Sequence, residues 1–174
     1  FSTTDEDGWP RHGLLSAREV LAKDSKRLLL LLYSNSHSSA NLQREGKISI
    51  VLVNPNIPLS TKSVYGKLRG PYTPPRPLNI LPKNIYELTY ALAQRTNDLA
   101  TPARVLCPII DDVLAALTAS EGCQLARLSG SGPSCFGLFT DTNNAAKAAS
   151  RISALKGDWW VKPTHSVGDI TTLS

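Results

Sequence analysis

Ser129-Gly-Ser-Gly-Pro-Ser134 is the segment whose residue types and spacing best suit chemistry. Two glycines within three residues leave backbone N–H groups unshielded and permit positive φ, so successive amides can converge on an anion such as phosphate. The candidate substrate or phosphate-loop residues are therefore Ser129, Gly130, Ser131, Gly132, Pro133 and Ser134. A tight turn between strands uses the same residues, and the motif alone does not separate the two uses. It is not a P-loop, since no Gly-Lys-Ser/Thr ending follows, nor a dinucleotide fingerprint, since it neither ends in Gly-x-x-Gly nor opens a helix.

Other reactive side chains are scattered. Asp98 follows Asn97 and suits capping the next helix or contacting the loop better than acid catalysis. Asp111 and Asp112 are neighbours, and neighbours on a helix point about 100° apart, so they do not form a carboxylate pair. His12, His37 and His165 show no metal-ligand spacing, and Cys107, Cys123 and Cys135 form no CxxC pair and are odd in number. These are expected to be reduced thiols, with no metal site and no disulfide framework. Cys135, beside the loop, reads as buried and lacks a base to make it a nucleophile. No catalytic residue is assigned to this chain.

The elements that must position the loop divide near Gly46. Residues 1–45 form an atypical N-terminal segment, disordered or helical, with an acidic lead, a helix-prone stretch from Leu14 to Leu32 and a polar run from Ser34 to Ser39. Residues 46–174 alternate strands and helices. Ile48 to Val53 is a β-branched run stopped by Asn54-Pro55. Ser60 or Thr61 caps a short helix through Leu68, with Val64, Tyr65 and Leu68 on one face. Pro71, Pro74, Pro75, Pro77 and Pro82 then keep the chain extended.

Ile85 to Arg95 has helical spacing. A helix beginning near Thr101-Pro102 is interrupted by Pro108 and resumes through Leu117. Strands Gln124 to Leu128 and Ser134 to Phe139 flank the glycine loop. A helix from Ala145 to Leu155, packing Ala146, Ala149 and Ile152, precedes a last strand from Trp159 to Pro163, on which Trp159 and Trp160 face opposite ways. This order predicts an α+β fold, a ferredoxin-like split βαβ two-layer sandwich with its helices on one face of a mainly antiparallel sheet.

The net charge of +5 comes from 19 Lys and Arg against 14 Asp and Glu. The basic residues are dispersed and aromatics make up 6% of the chain, which argues against nucleic acid as a partner. Leu28 to Leu32 is far short of the roughly 20 apolar residues of a membrane helix, and Asp5, Glu6 and Asp7 have the wrong sign for a secretory signal. The expectation is a soluble, cytoplasmic chain without a membrane partner.

The string Leu125-Ala-Arg-Leu-Ser-Gly-Ser-Gly-Pro-Ser-Cys-Phe-Gly-Leu-Phe139 resembles the third conserved motif of the GHMP kinase superfamily. Leu52-Val-Asn-Pro55 with Pro58-Leu-Ser-Thr61, Asn97-Asp98-Leu99 and Trp159-Trp160-Val161 match in the same order, covering residues 47–161. Within the superfamily the chain looks like the kinases acting on 4-diphosphocytidyl-2-C-methyl-D-erythritol. The resemblance implies the C-terminal, substrate-side domain of an ATP-dependent kinase of non-mevalonate isoprenoid biosynthesis. It also implies ATP with magnesium as cofactors of the full enzyme and a small substrate carrying a cytidine diphosphate group. In that family an N-terminal domain supplies a catalytic lysine and aspartate and a glycine-rich ATP loop. None of these matches here, so the missing domain is an expected partner and the chain alone is expected to be inactive. The loop would then face the junction between the two domains.

Overall fold

The computed structural model describes residues 2–4, 10–12, 20–24 and 27–30 by their backbone, and residues 48–74, 76, 82 and 84–165 with their side chains. His37, the Ser34 to Ser39 run, Pro75 and Pro77 lie outside the described residues. The chain forms two compact units, Phe1–Ser39 and Ala40–Ser174.

In the first unit, β1 (Ser2–Thr4) pairs antiparallel with β2 (Pro10–His12), and β3 (Val20–Asp24) pairs antiparallel with β4 (Arg27–Leu30). This corrects the helical expectation for Leu14 to Leu32 where the backbone is described. The leucine run has no 3.6-residue spacing to exploit, and a continuous apolar stretch this short serves a strand as readily as a helix. Asp24 and Arg27 close the β3–β4 register.

The second unit is built on four strands: β5 (Ser49–Asn54), β6 (Cys123–Leu128), β7 (Cys135–Phe139) and β8 (Trp160–His165). Their order is β6-β7-β5-β8, and every pairing is antiparallel. The helices are α1 (Thr61–Lys67), α2 (Ile85–Ala93), α3 (Ala100–Leu106), α4 (Ile109–Thr118) and α5 (Thr142–Leu155). With the run α1–α4 as one crossover and α5 as the other, the topology is a split βαβ fold, and it bears out the α+β, ferredoxin-like expectation. Pro163 sits on β8, an edge strand, where a missing N–H interrupts at most one ladder.

Strand alternation sorts the core onto two faces. Val51 and Val53 of β5 and Cys135 and Phe139 of β7 face α4 and α5, joining Ile110, Val113, Leu117, Ala145, Ala148, Ala149 and Ile152. Ile50 and Leu138 point the other way and meet Leu88 of α2. The expectation that all helices cover one face is thereby corrected: α2 lies on the opposite face. Helical spacing shows that a helix has an apolar stripe but not which side of a sheet receives it.

Capping follows side-chain chemistry. Ser60 Oγ accepts from the Ser63 amide at 3.3 Å, Asn84 Oδ1 from Glu87 at 2.9 Å and Asp141 Oδ1 from Asn144 at 2.8 Å, each satisfying an orphan helix donor. Pro108 stands between α3 and α4, where its missing N–H breaks the helix in two. Val64 is buried in α1, but Tyr65 is exposed, so the two do not share a face as expected. Ala146 is exposed too, and Ala145 and Ala148 take its expected place. No helix among the described residues is long and apolar enough to cross a membrane.

Candidate functional site

The glycine loop joins β6 to β7 at one end of the sheet, and the first layer of its geometry is its own backbone. The Ser129 amide donates to Ser134 O at 2.9 Å and the Gly132 amide to Ser129 O at 2.9 Å. Gly130 and Gly132 have φ of 54° and 79°, the left-handed region that other residues enter at a cost. The Gly132–Pro133 peptide is cis. Two loop amides are thus spent internally, and the turn's own bonds leave those of Gly130, Ser131 and Ser134 unused. The expectation that Gly132 would present its amide as well is not met.

Three side chains remote in sequence hold the loop. Val53 pairs with Cys135 in the β5–β7 register, which brings the ends of both strands level. Asn54 Nδ2 then donates to Ser134 Oγ at 2.9 Å. Thr61, in the first turn of α1, shares a 2.9 Å hydroxyl–hydroxyl bond with the buried Ser131. Asn97 Nδ2 donates to Gly130 O at 2.8 Å and Leu128 O at 3.4 Å, while its Oδ1 accepts from the Leu99 amide at 3.0 Å. The motif around Trp159 also lies close, since Trp160 pairs with Asn54 and Asn56 Nδ2 donates to Asp158 O at 2.6 Å.

Asn54, Thr61 and Asn97 are the site residues that sequence reasoning missed as individuals. Each stood inside a quoted motif, but asparagine and threonine are common turn residues and carry no signal by type. Asn97 makes the fullest set of bonds. Asn97→Asp keeps the acceptor for Leu99 and removes the donor for Gly130, so it is expected to lower stability by about 1–3 kcal/mol. Chemical denaturation checks this, and an unchanged midpoint would show that the loop is held without Asn97.

The remaining candidates take structural parts. Asp98 does not cap α3; its carboxylate accepts from the Thr73 hydroxyl and, at 2.9 Å, from the Thr73 amide. Those two bonds hold its carboxyl below the usual carboxylate range. A lowered folded value means that the Asp98–Thr73 contribution is complete above the unfolded pKa of about 3.9 and lost as pH falls through the folded value. Thr73 amide shifts are therefore expected to titrate with a midpoint below that of a free aspartate. A midpoint above it would refute the assignment.

Asp111 pairs with Arg104 at the surface. Burial, then the nearby Cys107 and Asp111, pushes the Cys135 thiol up to about 12, so it is protonated and unreactive at neutral pH. Trp159 packs against the main core under Lys156, whose Nζ stands 5.3 Å from the ring centroid. Among the described residues no three His, Cys, Asp or Glu side chains gather to hold a metal ion. With the Ser129 and Gly132 amides committed to the turn, the amides left over make no triphosphate cradle, so the loop does not fit ATP with magnesium.

Residues 81–157 match the family model described as GHMP kinases C terminal. The chain is 42% identical over 120 residues to the 4-diphosphocytidyl-2-C-methyl-D-erythritol kinase of Rhodospirillum rubrum, an alignment covering 69% of this chain and 40% of that one. It is 45% identical over 116 residues to the enzyme of the same name from Dinoroseobacter shibae, covering 66% and 40%. A crystal structure of 4-(cytidine 5'-diphospho)-2C-methyl-D-erythritol kinase is 26% identical with a TM-score of 0.49, covering 70% of this chain and 44% of that one. The chain spans about two fifths of the length of the curated relatives it matches. The matched segment holds Asn97, the glycine loop and the strands on either side of it, and it is similar to the C-terminal domain of the GHMP kinases.

Proposed function

We propose that the chain is the C-terminal, substrate-side portion of an ATP-dependent kinase that phosphorylates a hydroxyl of 4-diphosphocytidyl-2-C-methyl-D-erythritol, a step of non-mevalonate isoprenoid biosynthesis in the cytoplasm. The observation that carries this reading is the convergence of Asn54, Thr61 and Asn97 on the loop from Ser129 to Ser134, in a domain 42% identical to the matching part of a kinase so named.

Phosphoryl transfer asks the protein for positioning and charge stabilisation rather than covalent chemistry. A loop fixed by three anchors offers the Gly130 and Ser131 amides without reorganisation, which suits orienting the diphosphate of the substrate. A GHMP N-terminal domain supplies the reacting lysine and aspartate and the glycine-rich ATP loop, with any magnesium bound there. The described residues contribute neither.

A chimera tests the proposal. Residues 48–165 replacing the matching C-terminal portion of the Rhodospirillum rubrum kinase are expected to sustain ATP-dependent phosphorylation, while the chain alone stays at buffer background. A folded chimera without turnover, still binding cytidine diphosphate at Gly130 and Ser131, would instead favour a non-enzymatic anion-binding module. Turnover by the chain alone would refute the division of labour.

A further inference from the structure

We propose that the groove bounded by the end of α1, Pro71, Thr73 and α3 binds a small phosphorylated anion, separately from the glycine loop. The groove is open to solvent and has a volume of about 710 Å³, within the roughly 300–1,000 Å³ usual for small-molecule sites. Among the described residues, Lys67, Arg69 and Arg127 line it against a single carboxylate, Asp98. That carboxylate is already occupied by the hydroxyl and amide of Thr73.

Arg127 makes the groove more than a basic surface. It projects from β6 on the α2 face, where one guanidinium nitrogen donates to Leu92 O at 2.8 Å and the other to Arg95 O. Carbonyls thus fix its position without cancelling its full charge, and no carboxylate pairs with it among the described residues. Arg69 is oriented in the same way, with Nη1 donating to Gly66 O at 2.7 Å and Leu68 O at 2.9 Å. Guanidinium nitrogens not used in these bonds remain available for phosphate oxygens.

Three cations and one engaged carboxylate in a concave wall focus a positive potential, and an anion of two or more charges answers it best. The Thr101 side of the groove adds a hydroxyl-bearing rim. Asn97 stands at the boundary, yet its side chain is committed to Gly130 and Leu99. Gly130 and Ser131 are not among the described residues that line the groove, and the inference stands independently of the kinase reading.

The full chain, isotopically labelled, is titrated with sodium pyrophosphate beside sodium chloride of matched ionic strength. Pyrophosphate is expected to give saturating amide shifts at Lys67, Arg69, Thr73 and Thr101 with a millimolar constant. The double substitution Lys67→Gln with Arg69→Gln should weaken it about fivefold or more, whereas Lys67→Arg, which keeps the charge and leaves Arg69 in place, should bind as the parent chain does. Equal shifts from chloride would overturn the proposal, as would undiminished binding to the neutralised variant. Shifts confined to Gly130 and Ser131 would also overturn it, by assigning the anion to the loop.

Discussion

Ile152→Asp unfolds the second unit or leaves it barely folded, whereas Ala146→Asp on the same helix is nearly silent. Ile152 is 2% exposed and packs among Val51, Leu117 and Phe139 in the main cluster. Its replacement removes a large apolar side chain, worth about 2–5 kcal/mol in comparable cores, and places a carboxylate within an apolar cluster. Stranding a buried charge costs several more, about 3–5 kcal/mol where one partner of a pair is lost. A domain's whole stability is about 5–15 kcal/mol, so the sum consumes most of it.

Ala146 is six residues earlier on α5 and exposed, so its aspartate stays hydrated and loses only helix propensity, at most about 0.7 kcal/mol. Urea unfolding of the two variants decides the matter. Equal midpoints would mean that α5 is rotated on the sheet, with 146 facing inward as the alanine pattern first suggested.

That rotation shows where the sequence is legible and where it is not. The strand from Ile48 to Val53, the Ser60 cap and the break at Pro108 follow from local chemistry, because β-branching, a hydroxyl and a missing N–H act over a few residues. The face of α5 does not. Ala145, Ala146, Ala148 and Ala149 are nearly equal in apolar character, and only contact with β5 and β8 selects among them. The side of the sheet taken by α2 is likewise a tertiary choice, made where Leu88 meets Ile50 and Leu138.

The candidate site was legible as a loop and illegible as a set of contacts. Its glycines announce themselves, but Asn54, Thr61 and Asn97 are 80, 70 and 33 residues from their partners. Strand register and the placement of α1 and α3 bring them together, and neither is written in a single window of sequence. The resemblance to GHMP kinases supplied the missing link, because its ordered motifs are the segments that converge.

Within the loop one glycine packs against the core and the other faces open space, and paired substitutions test whether the open one receives a ligand. A Cβ on Gly132 would lie 2.9 Å from Leu128 Cδ1 and 3.4 Å from both Ile110 Cδ1 and Leu59 Cδ2, at a φ of 79°. Gly132→Ala therefore combines left-handed strain of about 1–3 kcal/mol with crowding of similar size. A Cβ on Gly130, at a φ of 54°, meets nothing within 4 Å, so Gly130→Ala is expected to cost only about 1–2 kcal/mol. The binding effects run the other way. Because the open space at Gly130 is where an anion would approach, its alanine variant should stay folded yet lose cytidine diphosphate shifts at Ser131, while Gly132→Ala loses stability first and binding only with it. Thermal unfolding and amide titration of both variants read the two effects separately. If Gly130→Ala binds as well as the parent chain, the loop is a strand connection and the substrate's diphosphate lies elsewhere.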